Sequence, residues 1–242
     1  MGDENIVPIT DVDISCAVIV GYPRTREFNL TTHWLRYLYA NVLPSFESGG
    51  FWKARVELYP GMPNREPFDR NGGQVFLYHR QFDFARHFTL AAGQRKRLLL
   101  ETLQDGLLRI TTVIGWPREP FETAHRRCLE RGLEARFAVG KPKSNPRRTA
   151  AARLEWLVDV DWVYVYVTFC DRSGQQIGKW EVVSQDVGIS AYFPYNVFGK
   201  FGWISNDTIR LLSRNGEQCW EVSLDGTVKH VALRVSKPGS TM

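Results

Sequence analysis

At 242 residues, with 43% hydrophobic and 24% charged side chains, the chain has the composition of a folded globule with one substantial core, which excludes disordered and fibrous classes. Its longest strongly apolar stretch, residues 154–169, is interrupted by Glu155, Asp159 and Asp161 and is too short to span a membrane as a helix, and the acidic opening MGDENIVPITDVD lacks the pattern of a secretory signal. The formal charge of +5 hides an asymmetry: residues 85–153 hold 15 Lys/Arg against 6 Asp/Glu, so the basic character belongs to that segment.

In chain order, ISCAVIV (residues 14–20) reads as a short buried strand ended by Gly21 and Pro23. Residues 29–43 carry Leu30, Trp34, Leu38 and Val42 at helical spacing, with Pro44 as the stop. Two alternating runs, 52–59 and 74–78, predict strands joined by a long Pro/Gly/Asn-rich surface loop. Leu99, Leu103, Leu107, Ile110 and Ile114 then form an apolar helical stripe that Gly115 ends. A second helix begins near Pro117 or Pro120 and runs towards Leu133, making a helical hairpin.

Residues 141–153 (KPKSNPRRTAAAR) combine two prolines with five basic side chains and read as a flexible connector or a domain boundary. Beyond them the pattern is almost entirely β. A long strand is expected over 154–169, with one face apolar throughout and the other apolar only past Asp161. Further strands follow near 177–183, 209–213, 217–223 and 227–235. Asn215-Gly216 and Asp225-Gly226 supply the positive φ angles of tight hairpins. The expected fold is a single α+β domain over residues 1–242, whose C-terminal antiparallel meander is covered by the central helical hairpin.

The chemistry-bearing residues form no known catalytic constellation: GxSxG, P-loop and strand-linked GxGxxG motifs are all missing. His79, Asp83 and His87 stand at i, i+4 and i+8, a metal-ligand spacing on a continuous helix, but they straddle a strand end and a helix start. No metal site, cofactor or catalytic residue is assigned. Two DVD triplets (11–13 and 159–161) would cluster four carboxylates if their strands were neighbours; solvent-facing strand ends are the preferred explanation. The four cysteines lie far apart and read as free thiols in the cytoplasm. The binding candidate is AYFPYNVFGKFGW, a loop with six aromatics in thirteen residues: Tyr192, Phe193, Tyr195, Phe198, Phe201 and Trp203, with Lys200 among them. Such rings anchor interfaces or stack on bases when exposed, and fill a core when folded back.

Residues 76–128, through Phe82-Asp83, Leu90, Lys96, Leu99-Leu100, Leu103, Gly106-Leu107, Gly115-Trp116 and Phe121, resemble a pattern in small bacterial proteins presumed to be immunity proteins of polymorphic toxin systems. That resemblance implies a non-enzymatic protein that occludes a toxin domain by protein-protein contact. The alternative is a nucleic-acid-binding or nucleic-acid-processing protein that uses the basic segment 85–153.

Overall fold

The computed structural model describes residues 11–16, 25–70, 72, 74–186 and 198–232. The chain forms two compact units, residues 1–135 with 158–161 and residues 136–157 with 162–242.

The first unit is built on a four-stranded sheet of β1 (Asp11–Cys16), β2 (Lys53–Tyr59), β3 (Phe68–Arg70) and β4 (Val75–Gln81), in the order β1-β2-β4-β3. β1, β2 and β4 are parallel, and β3 runs antiparallel on β4. Parallel neighbours need a crossover, and helices α1 (Thr25–Thr31) and α2 (His33–Val42) lie between β1 and β2 in the chain. The registers align Val12 with Ala54 and Phe76, and Ile14 with Val56 and Tyr78, so one face of the sheet is a buried apolar block.

After α3 (Phe84–Thr89), the hairpin of α4 (Ala92–Ile114) and α5 (Glu119–Glu130) supplies the cover. Leu99, Leu103, Leu107 and Ile110 are fully buried, as the helical period predicts, and Gly115 ends α4 at φ 75°. The sheet that these leucines meet is that of β2 and β4, where the sequence reading had them cover the C-terminal meander. The reason lies at Gly106: a Cβ there would overlap Val56 Cγ2 and come within 3.2 Å of Tyr78, so the bare backbone seats α4 directly on the sheet. The Tyr39 hydroxyl lies 2.8 Å from Gln104 Oε1 and 3.1 Å from the Phe121 carbonyl, joining α2, α4 and α5 inside the core.

The strand expected over 154–169 is two strands, β6 (Ala150–Val158) and β7 (Trp162–Asp171), preceded by β5 (Ala135–Ser144). It breaks at the second DVD triplet, where each carboxylate has a cation: Lys96 lies 2.8 Å from Asp159, and Arg95 grips Asp161 with two hydrogen bonds of 3.0 and 2.5 Å. Those pairs hold the turn, while Val160 between them is buried. Residues 141–153 are likewise no connector but the end of β5, a turn and the start of β6. Buried Asn145 organises that turn by accepting from the Thr149 and Ala150 amides, at 2.8 and 3.2 Å, and by donating to the Asn206 carbonyl. A single well-placed amide satisfies the backbone that proline-rich composition would otherwise leave to water.

In the second unit β5, β6, β7 and β8 (Gln176–Asp186) form one antiparallel sheet, in the order β5-β6-β7-β8. The meander of β9 (Phe198–Trp203), β10 (Thr208–Ser213), β11 (Gln218–Ser223) and β12 (Val228–Ala232) forms the other. Gly216 at φ 74° and Gly226 at φ 95° stand at the two predicted turns. The molecule is thus α+β, with its C-terminal antiparallel sheet and helical hairpin in place. Among the described residues no helix is long and apolar enough to cross a membrane.

Candidate binding edge

The last part of the aromatic segment is a strand rather than a loop. Among the described residues β9 pairs with β10 alone, which places it at the edge of its sheet. Trp203 stands opposite Ile209 and Phe201 opposite Leu211; a bulge then brings Phe198 opposite Ser213. Because Ile209, Leu211 and Ser213 point inward, the bulge turns all three rings to that inner face although Phe198 and Phe201 are three residues apart. Phe198 meets Trp156 at 6.5 Å and Trp220 at 5.5 Å between ring centroids, and Trp203 meets Phe169 at 5.6 Å. At a sheet edge this burial is incomplete: the three rings are half-buried and Lys200 is exposed. Gly199 sits in the bulge, where a Cβ would lie 3.2 Å from the Arg214 Cα. Tyr192, Phe193 and Tyr195 lie outside the described residues.

β5 brings the charge. Gly140 at φ 68° and Pro142 interrupt its regularity, as suits an edge strand, and Lys141 and Lys143 are exposed. The Lys143 ammonium donates to the Phe201 carbonyl and stands 6.0 Å from the Phe201 ring, while Trp203 Nε1 donates to the Lys143 carbonyl at 2.7 Å. Two adjoining clefts result. One of about 470 Å³ lies along β9 from Gly199 to Trp203, and one of about 240 Å³ opens beside Trp156 and Phe198; Lys143, Gly199 and Phe201 line both. Among the described residues neither cleft is lined by an Asp or Glu. The sequence of the second unit carries 14 Lys/Arg against 8 Asp/Glu, so this basic lining sits in a basic surrounding.

Much of the helical part of the basic segment is spent internally. Arg95 and Lys96 hold Asp161 and Asp159, Arg109 pairs with Glu66, Arg118 with Glu122 and Arg126 with Glu130. Lys141 and Lys143 are exposed and pair with no described carboxylate, and the same holds for Arg86, Arg131, Arg147 and Arg148 of the same segment.

The other candidates separate. His79 lies on β4, 3.2 Å from Glu57 and against the rings of Tyr59 and Phe68; Asp83 caps α3 by accepting from the Arg86 amide; His87 is buried inside α3. They share no helix face, and among the described residues no group of three or more His, Cys, Asp or Glu side chains is placed to hold a metal ion. The first DVD triplet begins a row of alternating charges that sequence reasoning missed. Arg36 and Lys53 lie 2.9 and 2.5 Å from Asp11, Lys53 and Arg55 lie 3.4 and 2.9 Å from Asp13, and Arg55 lies 3.7 Å from Glu57. Apart from Arg36, which reaches over from α2, these are the odd-numbered positions of β1 and β2, on the face opposite the apolar block. Each carboxylate of the row has a cation beside it, so the row is neutral in itself. A cleft of about 300 Å³ beside it is lined by Asp13, His33 and Arg36, where burial lowers the His33 pKa and Asp13 partly opposes the shift. The signal that would have found the row is the matching odd-position charge of DVD and KAR, legible only once β1 and β2 are known to be parallel neighbours.

Compared with known proteins, the chain matches no family model, no curated protein and no solved structure.

Proposed function

We propose that this chain acts by binding rather than turnover, and that the edge formed by β5 and β9 holds an anionic partner. One observation carries the reading: Lys141, Lys143 and Lys200 surround three half-buried rings in clefts that no described carboxylate lines. Cations that are not neutralised within the molecule attract an anion, and rings that are only partly covered give it an apolar seat. Four free thiols support a reducing compartment such as the cytoplasm. The resemblance over residues 76–128 adds a toxin-neutralising role as a more specific form, with an acidic protein domain as partner. Its positions Phe82, Leu99, Leu100, Leu103, Leu107, Trp116 and Phe121 are buried packing positions, so they speak for a shared core and leave the partner to the edge.

Retention on heparin, a plain polyanion, tests the reading. Changing Lys141, Lys143 and Lys200 together to Gln should lower the eluting salt clearly and leave the melting temperature unchanged, because all three are exposed. The charge-matched control, Arg97, Arg118 and Arg126 to Gln, removes cations already paired on α4 and α5 and should elute close to the parent. Equal shifts for the two triple variants would mean that net charge, not this edge, holds the anion.

A further inference from the structure

Resting on that reading, we infer that the anion held at the β5–β9 edge is a single-stranded nucleic acid. The two adjoining clefts repeat one pairing of chemistries, an aromatic ring beside a cation, with Phe201 and Lys143 forming the wall they share. A single strand repeats the complementary pairing, since every nucleotide offers a base with a π face and a phosphate with a charge. A duplex has its bases stacked and paired inside and would engage the lysines alone, leaving the rings without a partner. An acidic protein surface would also match the lysines. It would have to desolvate three of them around its contact, whereas lysine is depleted at the centres of protein interfaces.

The strand geometry fits the same occupant. Gly202, between Phe201 and Trp203 in the chain, faces away from their rings and towards the side of Lys200, and the space where its side chain would stand is open. Gly199, on the other side of Lys200, is closed off by the Arg214 backbone, so the open position on β9 is the one beside Lys200 at Gly202. That position lines the same cleft as Lys200, Phe201 and Trp203, which leaves room for a flat base beside the lysine. The site is thus a short stacking platform with its own electrostatic attraction, carried on the edge of a sheet.

The test is fluorescence anisotropy with labelled probes of equal length: an oligo(dT), an oligo(U), a mixed-sequence DNA duplex and an oligoglutamate peptide. Tighter binding of either single strand than of the duplex by about ten-fold, with affinity falling as salt rises, supports the inference, and the ratio of the two strands identifies the preferred sugar. Phe201→Ala and Gly202→Leu should each weaken single-strand binding about five-fold or more while leaving heparin elution unchanged, a split that loss of charge or of folding would not produce. Duplex binding as tight as single-strand binding, or oligoglutamate binding without oligonucleotide binding, overturns the inference and leaves the anion-binding reading standing. Binding to none of the probes, together with unaltered heparin elution of the lysine variant, overturns both.

Discussion

His87 is fully buried in α3, its ring packed against Phe28 at 5.1 Å, Phe82 at 5.8 Å and Phe88 at 5.2 Å between centroids. Neither ring nitrogen has a hydrogen-bond partner among the described residues. Burial first, and then the nearby Arg95 charge, lower its pKa from 6.5 to about 4, with Asp161 opposing. The unfolded chain therefore takes up a proton before the folded one does. Stability is complete above pH 6.5, is lost as the pH falls towards 4, and the loss levels off below that. Between pH 7 and pH 5 the protein should lose about 2 kcal/mol more than its His87→Leu variant in denaturant titrations. Parallel losses in the two proteins would show that His87 is not the group responsible. The sequence offered His87 as a third metal ligand at helical spacing; the strand end at Gln81 and the cap at Asp83 break that helix, and the aromatic surroundings explain the residue instead.

At the scale of elements, the seating of α4 on β2 and β4 turns on Gly106. Alanine is worth up to about 1 kcal/mol over glycine in a helix interior, which taken alone predicts stabilisation by Gly106→Ala. Here the added Cβ would overlap Val56 and crowd Tyr78, both on rigid strands beneath a close-packed helix. Overpacking of this kind costs about 1–3 kcal/mol, so the variant should be less stable by about 1–2 kcal/mol net. A Gly106→Ala, Val56→Ala double variant should show a smaller loss than the two single losses added, because the second change makes room for the first. Simple additivity would mean that the helix does not rest on Val56. The α4 stripe was legible as a period of apolar residues, but Gly106 read only as a weak point within it, since a close approach has no signature before its partner is known.

Across the whole molecule the four thiols report on how completely each core is closed. Cys16, Cys128 and Cys219 are buried, and burial raises the pKa of all three, that of Cys128 to about 12, so the reactive thiolate is suppressed. Cys170, on β7, is half-buried. A thiol reagent at neutral pH should modify Cys170 first and reach the other three only in step with unfolding, as mass spectrometry of the labelled chain can follow. Early labelling of Cys128 would contradict the closure of the first unit's core. The sequence by itself determined the α+β class, the helical hairpin with its buried stripe, the two glycine turns of the meander and the aromatic richness of the 191–203 segment. Each rests on short-range periodicity or on backbone permissions that a residue carries wherever it is placed. Only the tertiary structure decided which sheet the hairpin covers, that residues 154–169 break at charges held by Arg95 and Lys96, and that Lys143 stands beside Phe201 and Trp203 about sixty residues away. Those outcomes depend on pairing between distant strands and on which charges find partners, and no local pattern encodes a partner's position.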